Sequence, residues 1–303
     1  MDDAPPRFDR RFEPRHGEAV AIGDHVRRVT ARNPGPFTFH GTNSFLIGRD
    51  EVAVIDPGPD DGSHVEALLS AIGSARVSAI LITHGHRDHT GAAAALAAAT
   101  GAPVLAGPAR VVPDGGAGER LDAARDAGLR PDVILSDGAR ISGDGWTLEA
   151  IATPGHTADH LCFALAETAT IFTGDHVMAW STSIVAPPDG SMAAYMASLA
   201  KLAARPERRL LPAHGPGLCE ATSAAYLAAL AGHRRRREAA LIAQLEAGPG
   251  TVPELVAAIY VDVDGSLHGA AALSLLAHVE DLVERGRIVG DGPLSLSTRF
   301  RLA

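Results

Sequence analysis

Unbroken apolar runs bounded by turn residues mark the first half of the chain. SFLIG (44–48), EVAVIDPG (51–58), VSAILITH (77–84) and APVLAG (102–107) each read as a strand. Their continuous apolar character suits a sheet covered on both faces. Between them, His64–Ile72 and Gly91–Thr100 carry helical spacing, so strand and helix alternate. Strands return at GWTLEAIATPG (145–155), HLCFALAE (160–167), TATIFTGD (168–175) and RRLLPAHG (208–215). From about Thr222 the pattern lengthens into a helix running through Tyr226 and Arg234–Arg237 to about Glu246, and AGPGT (247–251) then breaks it. TVPELVAAIY and AAALSLLAHVEDLVERG predict two more helices, with RIVGDG and TRFRLA forming a two-stranded wing. The organisation expected is an N-terminal tail (1–19), a catalytic domain (20–221), a connecting helix (222–250) and a winged-helix-like C-terminal domain (251–303).

Composition changes this picture little. The 303 residues are 46% hydrophobic and 21% charged, which suits a soluble globular protein with a sizeable core. The opening MDDAPPRFDRRFEPRHGEA is polar and proline-broken, without the apolar core of a signal peptide, and no apolar run reaches the roughly 20 residues of a membrane helix. Cys162 and Cys219 do not make a disulfide framework, so a cytoplasmic location is expected. Charge matters more. A net charge of −9 argues against a protein that coats nucleic acid. The predicted wing domain carries four basic residues (Arg285, Arg287, Arg299, Arg301) against seven acidic ones (Glu254, Asp262, Asp264, Glu280, Asp281, Glu284, Asp291). Three of those acids lie on the helix that would enter a groove, so duplex DNA is not the expected partner.

The candidate chemistry sits at strand ends. In LITHGHRDHTG, three histidines and an aspartate crowd into His84, His86, Asp88 and His89, between a strand and a helix. Side chains on one such turn converge without long-range help, and imidazole with carboxylate suits zinc and its divalent neighbours. Alone, the loop leaves a second and lesser reading, a polar turn that stabilises its own backbone. ATPGHTADH then offers His156, IFTGDH offers Asp175 and LLPAHGP offers His214, each after an apparent strand. Seven groups in four loops are enough for two metals with an open or bridging position.

H-x-H-x-D-H followed by His, Asp and His in these contexts resembles the metallo-β-lactamase superfamily, whose fold is a four-layer αββα sandwich with a dinuclear site on one edge. The resemblance implies that His84, His86 and His156 hold the first metal, that Asp88, His89 and His214 hold the second, and that Asp175 bridges them. Asp56 in VIDPG matches the acidic residue that orients ligands in this family, although an aspartate opening a turn before proline is an equal reading. His160 and His176 read as bracing groups, and Arg87 as facing outward or pairing with a neighbour. NPGPFTFHGTNSFLIG (33–48), PGHTADH, HGPG and the HRRRRE helix further resemble the lactamase-beta-like branch, which includes an endoribonuclease and thioesterases. PAHG departs from the family's usual PGHG at Ala213.

The implied enzyme is a metal-dependent hydrolase. Two divalent ions, zinc with iron or manganese as alternatives, would lower the pKa of a bridging water toward ~7, and the resulting hydroxide attacks an ester-type bond. Asp88 and Asp175 are the catalytic carboxylates. Five neutral histidines and two aspartates leave the loaded cage positive, which favours anionic substrates and developing oxyanions. A secreted β-lactamase does not fit the tail, and the short interval from Asp175 to His214 leaves no room for a large nuclease cap. By resemblance the expectation is an endoribonuclease-like phosphodiesterase acting on single-stranded RNA. The alternative is thioester hydrolysis, of glyoxalase II or acyl-thioesterase type; a non-enzymatic structural metal site stands behind both. Arg234–Arg237 would either steer an anionic chain or form a solvated helix face. A homodimer is compatible with all of these readings.

Overall fold

In the computed structural model, which describes residues 4–108, 125–261 and 263–303, two sheets face each other. The first runs in chain order through β1 (Val20–Gly23), β2 (Val26–Thr30), β3 (Asn43–Gly48), β4 (Glu51–Ile55), β5 (Arg76–Leu81), β6 (Val104–Ala106) and β7 (Val133–Ile134). Pairing is antiparallel up to β4 and parallel from β4 onward. The switch follows the helices α1 (Gly62–Ile72) and α3 (Ala93–Thr100), each of which returns the chain to the same end of the sheet. The second sheet has the order β12 (Arg209–Pro212), β11 (Thr170–Gly174), β10 (Leu161–Leu165), β9 (Trp146–Ala152), β8 (Arg140–Gly143).

Side-chain alternation sorts the layers. In β3, Phe45 and Ile47 face the second sheet while Leu46 faces α1 and α3; in β10, Leu161, Phe163 and Leu165 face the first sheet while Cys162 and Ala164 face outward. Phe45 meets Phe172 across the interface with ring centroids 5.0 Å apart. Each such buried side chain contributes about 1.5–3 kcal/mol relative to exposure, so the facing sheets hold their spacing, and the loops at their ends with it. The helices α4 (Met192–Ala203) and α5 (Glu220–Ala247) cover the second sheet's outer face, completing the αββα order.

The last part of α5, α6 (Val252–Ile259), α7 (His268–Glu284) and a small sheet ordered β13 (Gly250–Thr251), β15 (Arg299–Leu302), β14 (Ile288–Gly290) share their own core around Leu241, Leu255, Leu275 and Phe300. Thr251 and Glu254 close a capping box at the start of α6, which fixes the turn after AGPGT. Ala277 of α7 also packs with Tyr195 and Leu230, so this core joins that beneath the second sheet. Asp262 lies outside the described residues.

Several elements differ from their expected bounds. The strands predicted to reach His84, Asp175 and Gly215 stop at Leu81, Gly174 and Pro212, because the apolar pattern continues into loops that are themselves buried. β1, β2 and α4 add to the expected elements; the half-buried Arg27 and Arg28 hide the alternation of β2. Residues 4–19 pack onto the fold: Asp9 N–H bonds the carbonyl of Ala179, and Arg28 donates to the carbonyls of Glu13 and Pro14. Among the described residues no helix is long and apolar enough to cross a membrane.

Candidate metal centre

Every candidate ligand follows the end of a strand at one edge of the sandwich. Asp56 follows β4, His84–His89 follow β5, and His156 follows β9; Asp175 and His214 follow β11 and β12. His86 is the N-cap position of α2 (Arg87–Thr90), whose first turn carries Asp88 and His89. Asn43 anchors the last loop by donating to the carbonyls of Pro212 and Gly215. Ala213 is buried, with its N–H on Gly174 and its carbonyl on Asn43, so the methyl group that departs from the family pattern is accommodated.

The seven residues form two adjoining groups, His84, His86, His156 and Asp175 in one and Asp88, His89 and His214 in the other. In the first, His84 Nε2 lies 2.8 Å from His86 Nδ1, and His156 Nε2 lies 3.2 Å from that same atom. A proton can sit between two such nitrogens but not among three. A cation with Zn–N bonds of about 2.0–2.1 Å places its nitrogens about 3.3 Å apart and satisfies all of them. In the second group, Asp88 Oδ2 lies 3.3 Å from His89 Nε2 and 3.2 Å from His214 Nε2. Asp175 faces both: Oδ2 is 3.7 Å from His156 Nε2, and Oδ1 is 3.3 Å from His214 Nε2. Among the described residues, His89 Nε2 and Asp175 Oδ1 are buried without a hydrogen-bond partner. Converging lone pairs, buried orphaned atoms and a carboxylate between two groups all fit a pair of divalent ions.

Electrostatics separates the groups. Burial and the neighbouring imidazoles push His84 well below the usual histidine range and His86 down to about 3, which keeps both neutral and able to ligate. In the second group burial opposes charge, but Asp175 and Asp88 push His214 up to about 9, and Asp88, Asp56 and Asp175 raise His89. The protons held there stand where a cation would compete for the same nitrogens.

A second layer of contacts holds the imidazoles. The backbone N–H and hydroxyl of Thr83 both donate to Asp56 at 2.8 Å, and His89 Nδ1 donates to Asp56 Oδ2 at 2.9 Å. The Thr83 hydroxyl lies 3.1 Å from His84 Nδ1, so Asp56 orients an imidazole in each group, one directly and one through Thr83. Asp56 is 1% exposed and has φ +50, a left-handed conformation that turns the chain out of β4 beneath the cluster. His160 accepts from the Asp175 N–H at 3.2 Å and bonds Thr153, which makes it a brace for Asp175. His176 is buried beside Tyr195 and does not join either group.

Sequence reasoning missed a clasp. Arg125 donates to Asp159 at 3.0 Å and to Asp189, while the next residue, Asp126, bonds the Gly85 carbonyl through its N–H. The clasp thus ties the HGH turn to the His156 loop and the cleft wall. Gly85 permits it: a Cβ there would stand 3.0 Å from Asp159 Oδ2. Nothing in the local pattern around Arg125 signals these partners, which are 34 and 64 positions away.

A cleft of about 310 Å³ opens onto both groups, and Phe37, Met178, Ile184, Ala186 and Pro187 line it. Arg87 is exposed, in keeping with its expected outward-facing position; it borders the cleft and makes no ion pair among the described residues. Arg234–Arg237 do not form a continuous exposed anion track or solvated face: Arg235 is exposed, Arg236 and Arg237 are half-buried, and Arg234 is buried. Arg234 is 4% exposed with its guanidinium on the Ser183 carbonyl, and Arg237 stacks 4.1 Å above the Tyr260 ring. Packing of α5 against both cores puts Arg234 inside and half-buries Arg237, while Arg235 stays in solvent.

Comparison with known proteins agrees with this architecture. Residues 37–214 match the metallo-beta-lactamase superfamily model, and residues 251–293 match the beta-lactamase associated winged helix domain. The chain is 31% identical over 293 residues to an atrochrysone carboxyl ACP thioesterase of Aspergillus novofumigatus, covering 92% of this chain and 83% of that protein. It is 33% identical over 199 residues to the beta-lactamase-like protein 2 homolog of Caenorhabditis elegans; that match spans 64% of this chain and 63% of the relative's length. The crystal structure of a metallo-beta-lactamase family protein from Thermus thermophilus, 23% identical, superposes with a TM-score of 0.75 over 93% of this chain and 100% of that one. With the family match spanning more than half of its length and the histidine–aspartate cluster at the sandwich edge, the chain belongs to the metallo-beta-lactamase superfamily and is a hydrolase with a winged helix domain at its C-terminal end.

Proposed function

We propose that the chain hydrolyses a thioester with an apolar acyl group, at a site where His84, His86, His156 and Asp175 hold one divalent ion and Asp88, His89, His214 and Asp175 hold a second. Such a pair, when bound, supplies Lewis acidity and a nucleophile derived from water at neutral pH. The nitrogen-rich donor set with carboxylate oxygens suits zinc, and also iron or manganese. The chain's own residues do the rest. Asp56 and Thr83 fix the tautomers of His89 and His84, and the Ile184 carbonyl fixes that of His156. The cleft then orients the acyl group against the cluster.

The observation that carries the thioester reading is the lining of that cleft. Phe37, Met178, Ile184, Ala186 and Pro187 present apolar surface, and Arg87 adds one cation. A polyanionic RNA strand calls instead for a groove with several basic groups and stacking faces, and the arginines of α5 do not furnish one, because Arg234 and Arg237 are engaged within the fold. The relative from Aspergillus novofumigatus bears a thioesterase name, which supports the same choice. Arg87 suits an anionic group on the thiol side of the substrate.

The test is an assay of zinc-loaded protein against acyl thioesters of increasing chain length, S-lactoylglutathione, single-stranded RNA and a simple phosphodiester. Thioester cleavage that improves with acyl length is expected. RNA cleavage that outruns every thioester and disappears in Asp175→Asn would overturn the proposal. Phe37, 46% exposed at the cleft mouth, provides a finer check: Phe37→Ala should raise KM for long acyl chains by about tenfold, as expected for about 1.4 kcal/mol of lost apolar contact, with kcat retained.

A further inference from the structure

Arg234 stands in the middle of α5, remote in sequence from every ligand loop, yet it is 4% exposed and among the described residues no carboxylate pairs with it. A buried guanidinium without a counter-charge is expensive and persists only where its donors and its planar face are engaged. Its Nη2 donates to the Ser183 carbonyl, and its Cζ lies over the Tyr195 ring, 5.0 Å from the centroid. Both contacts lead to the cluster. The carbonyl of the next residue, Ile184, receives His156 Nδ1 at 2.6 Å, which leaves Nε2 to face His86 and Asp175. The Tyr195 hydroxyl donates to the carbonyl of His176, the neighbour of Asp175, at 3.1 Å. The Tyr195 backbone closes over Gly155 just before His156; a Cβ at Gly155, where φ is +144, would lie 2.4 Å from Tyr195 Cα. Arg234 and Tyr195 between them therefore touch three of the loops that frame His156 and Asp175.

We propose that Arg234 is a positioning residue for the first group: by holding the Ser183 carbonyl and the Tyr195 ring, it sets the orientation of His156 and couples the helix leading to the C-terminal domain to the site. The proposal rests on the reading of His156 as a metal ligand. A lysine at this position keeps the charge but loses the fork and the flat face, so Arg234→Lys is a graded version of Arg234→Met. Arg235, exposed and one position along, is the matched control through Arg235→Met.

Cobalt(II) titration of the full chain, followed by its visible absorption, separates the outcomes. The native chain should bind two ions. Arg234→Met should bind one of them about 10–100-fold more weakly, the loss typical of removing a group that orients a ligand. Its difference spectrum should match that of His156→Ala and not that of His214→Ala, and Arg235→Met should behave as native. Equal affinity in native and Arg234→Met protein overturns the proposal. So does equal weakening of both ions together with a lowered Tm, since that describes a residue serving only the fold. If Arg234→Met does not fold, the same comparison is made with Arg234→Lys, which retains the stem and the charge. Failure of the native chain to bind two ions would instead strike the metal-site reading, leaving the role of Arg234 in the native fold a separate outcome.

Discussion

The sandwich edge and the core of the C-terminal domain both bury histidine, and they do so to different ends. At the edge, His84, His89 and His214 are almost inaccessible; on α7, His278 is 1% exposed, and among the described residues neither of its ring nitrogens has a hydrogen-bond partner. Burial and an orphaned nitrogen therefore do not mark a ligand. What separates the regions is convergence. Around the edge cluster, four loops bring seven donor groups together, with Asp56, Asp88 and Asp175 among or behind them. Around His278 the strongest charge effects come from cations, Arg234, Arg285 and Arg237, with His233 beside them in a core of leucines, and the acids Glu238 and Asp281 are paired to Arg285. The first region is arranged to receive positive charge and the second to refuse it.

Breaking the convergence should have the largest effect. Asp175→Asn keeps the shape but removes the negative charge that faces both groups, so metal content should fall from two ions per chain toward one. Hydrolysis should fall by more than the 10–100-fold that follows loss of an outer partner of a ligand. Elemental analysis and initial rates on the best substrate measure both. Activity within tenfold of native, with two ions still bound, would show that Asp175 does not join the groups. Asp56→Ala comes next. Because Asp56 reaches His89 directly and His84 through Thr83, both ions should weaken by about 10–100-fold, in contrast to the one-sided loss expected of Arg234→Met. A one-sided loss in Asp56→Ala would show that the Thr83 relay does not orient His84.

These effects also show what a sequence can carry. HGHRDH is legible because its donors lie on one turn after one strand, where spacing alone implies proximity. His156, Asp175 and His214 are legible because each follows an apolar strand, and strands of one sandwich end at shared edges. Asp56 can be suspected from its motif, but only the positions of Thr83 and His89 decide between turn former and orienting group. Arg125 and Arg234 are not legible as parts of the site. Their partners lie across the fold, and a guanidinium buried by packing has the same local signature as one in solvent. The alternation of strand and helix follows from apolar runs, and the αββα order from the resemblance carried by the histidine motifs; β2 is hidden by its two arginines, whereas α4 keeps helical spacing at Met192, Tyr195, Leu199 and Leu202.

The smallest effect sharpens the other side of the comparison. His278 is held down to about 3, mainly by burial and then by the surrounding cations, against 6.5 for an unhindered imidazole. Between those values the unfolded chain takes up a proton that the folded chain refuses. Folding stability contributed here is thus fully present above about pH 6.5 and is lost as pH falls, by up to about 1.4 kcal/mol per unit. His278→Leu removes the titration and two orphaned nitrogens while keeping comparable volume, so it should be near neutral or stabilising at pH 7.5. The drop in Tm between pH 7.5 and pH 5 should then be smaller by several degrees than in the native chain, measured at equal metal loading so that the edge cluster contributes equally to both. If the two proteins lose Tm in parallel, the acid sensitivity belongs to other buried imidazoles, His64 at about 4 or His176 at about 3. In that case the cationic surroundings of α7 would not distinguish it from the rest of the core.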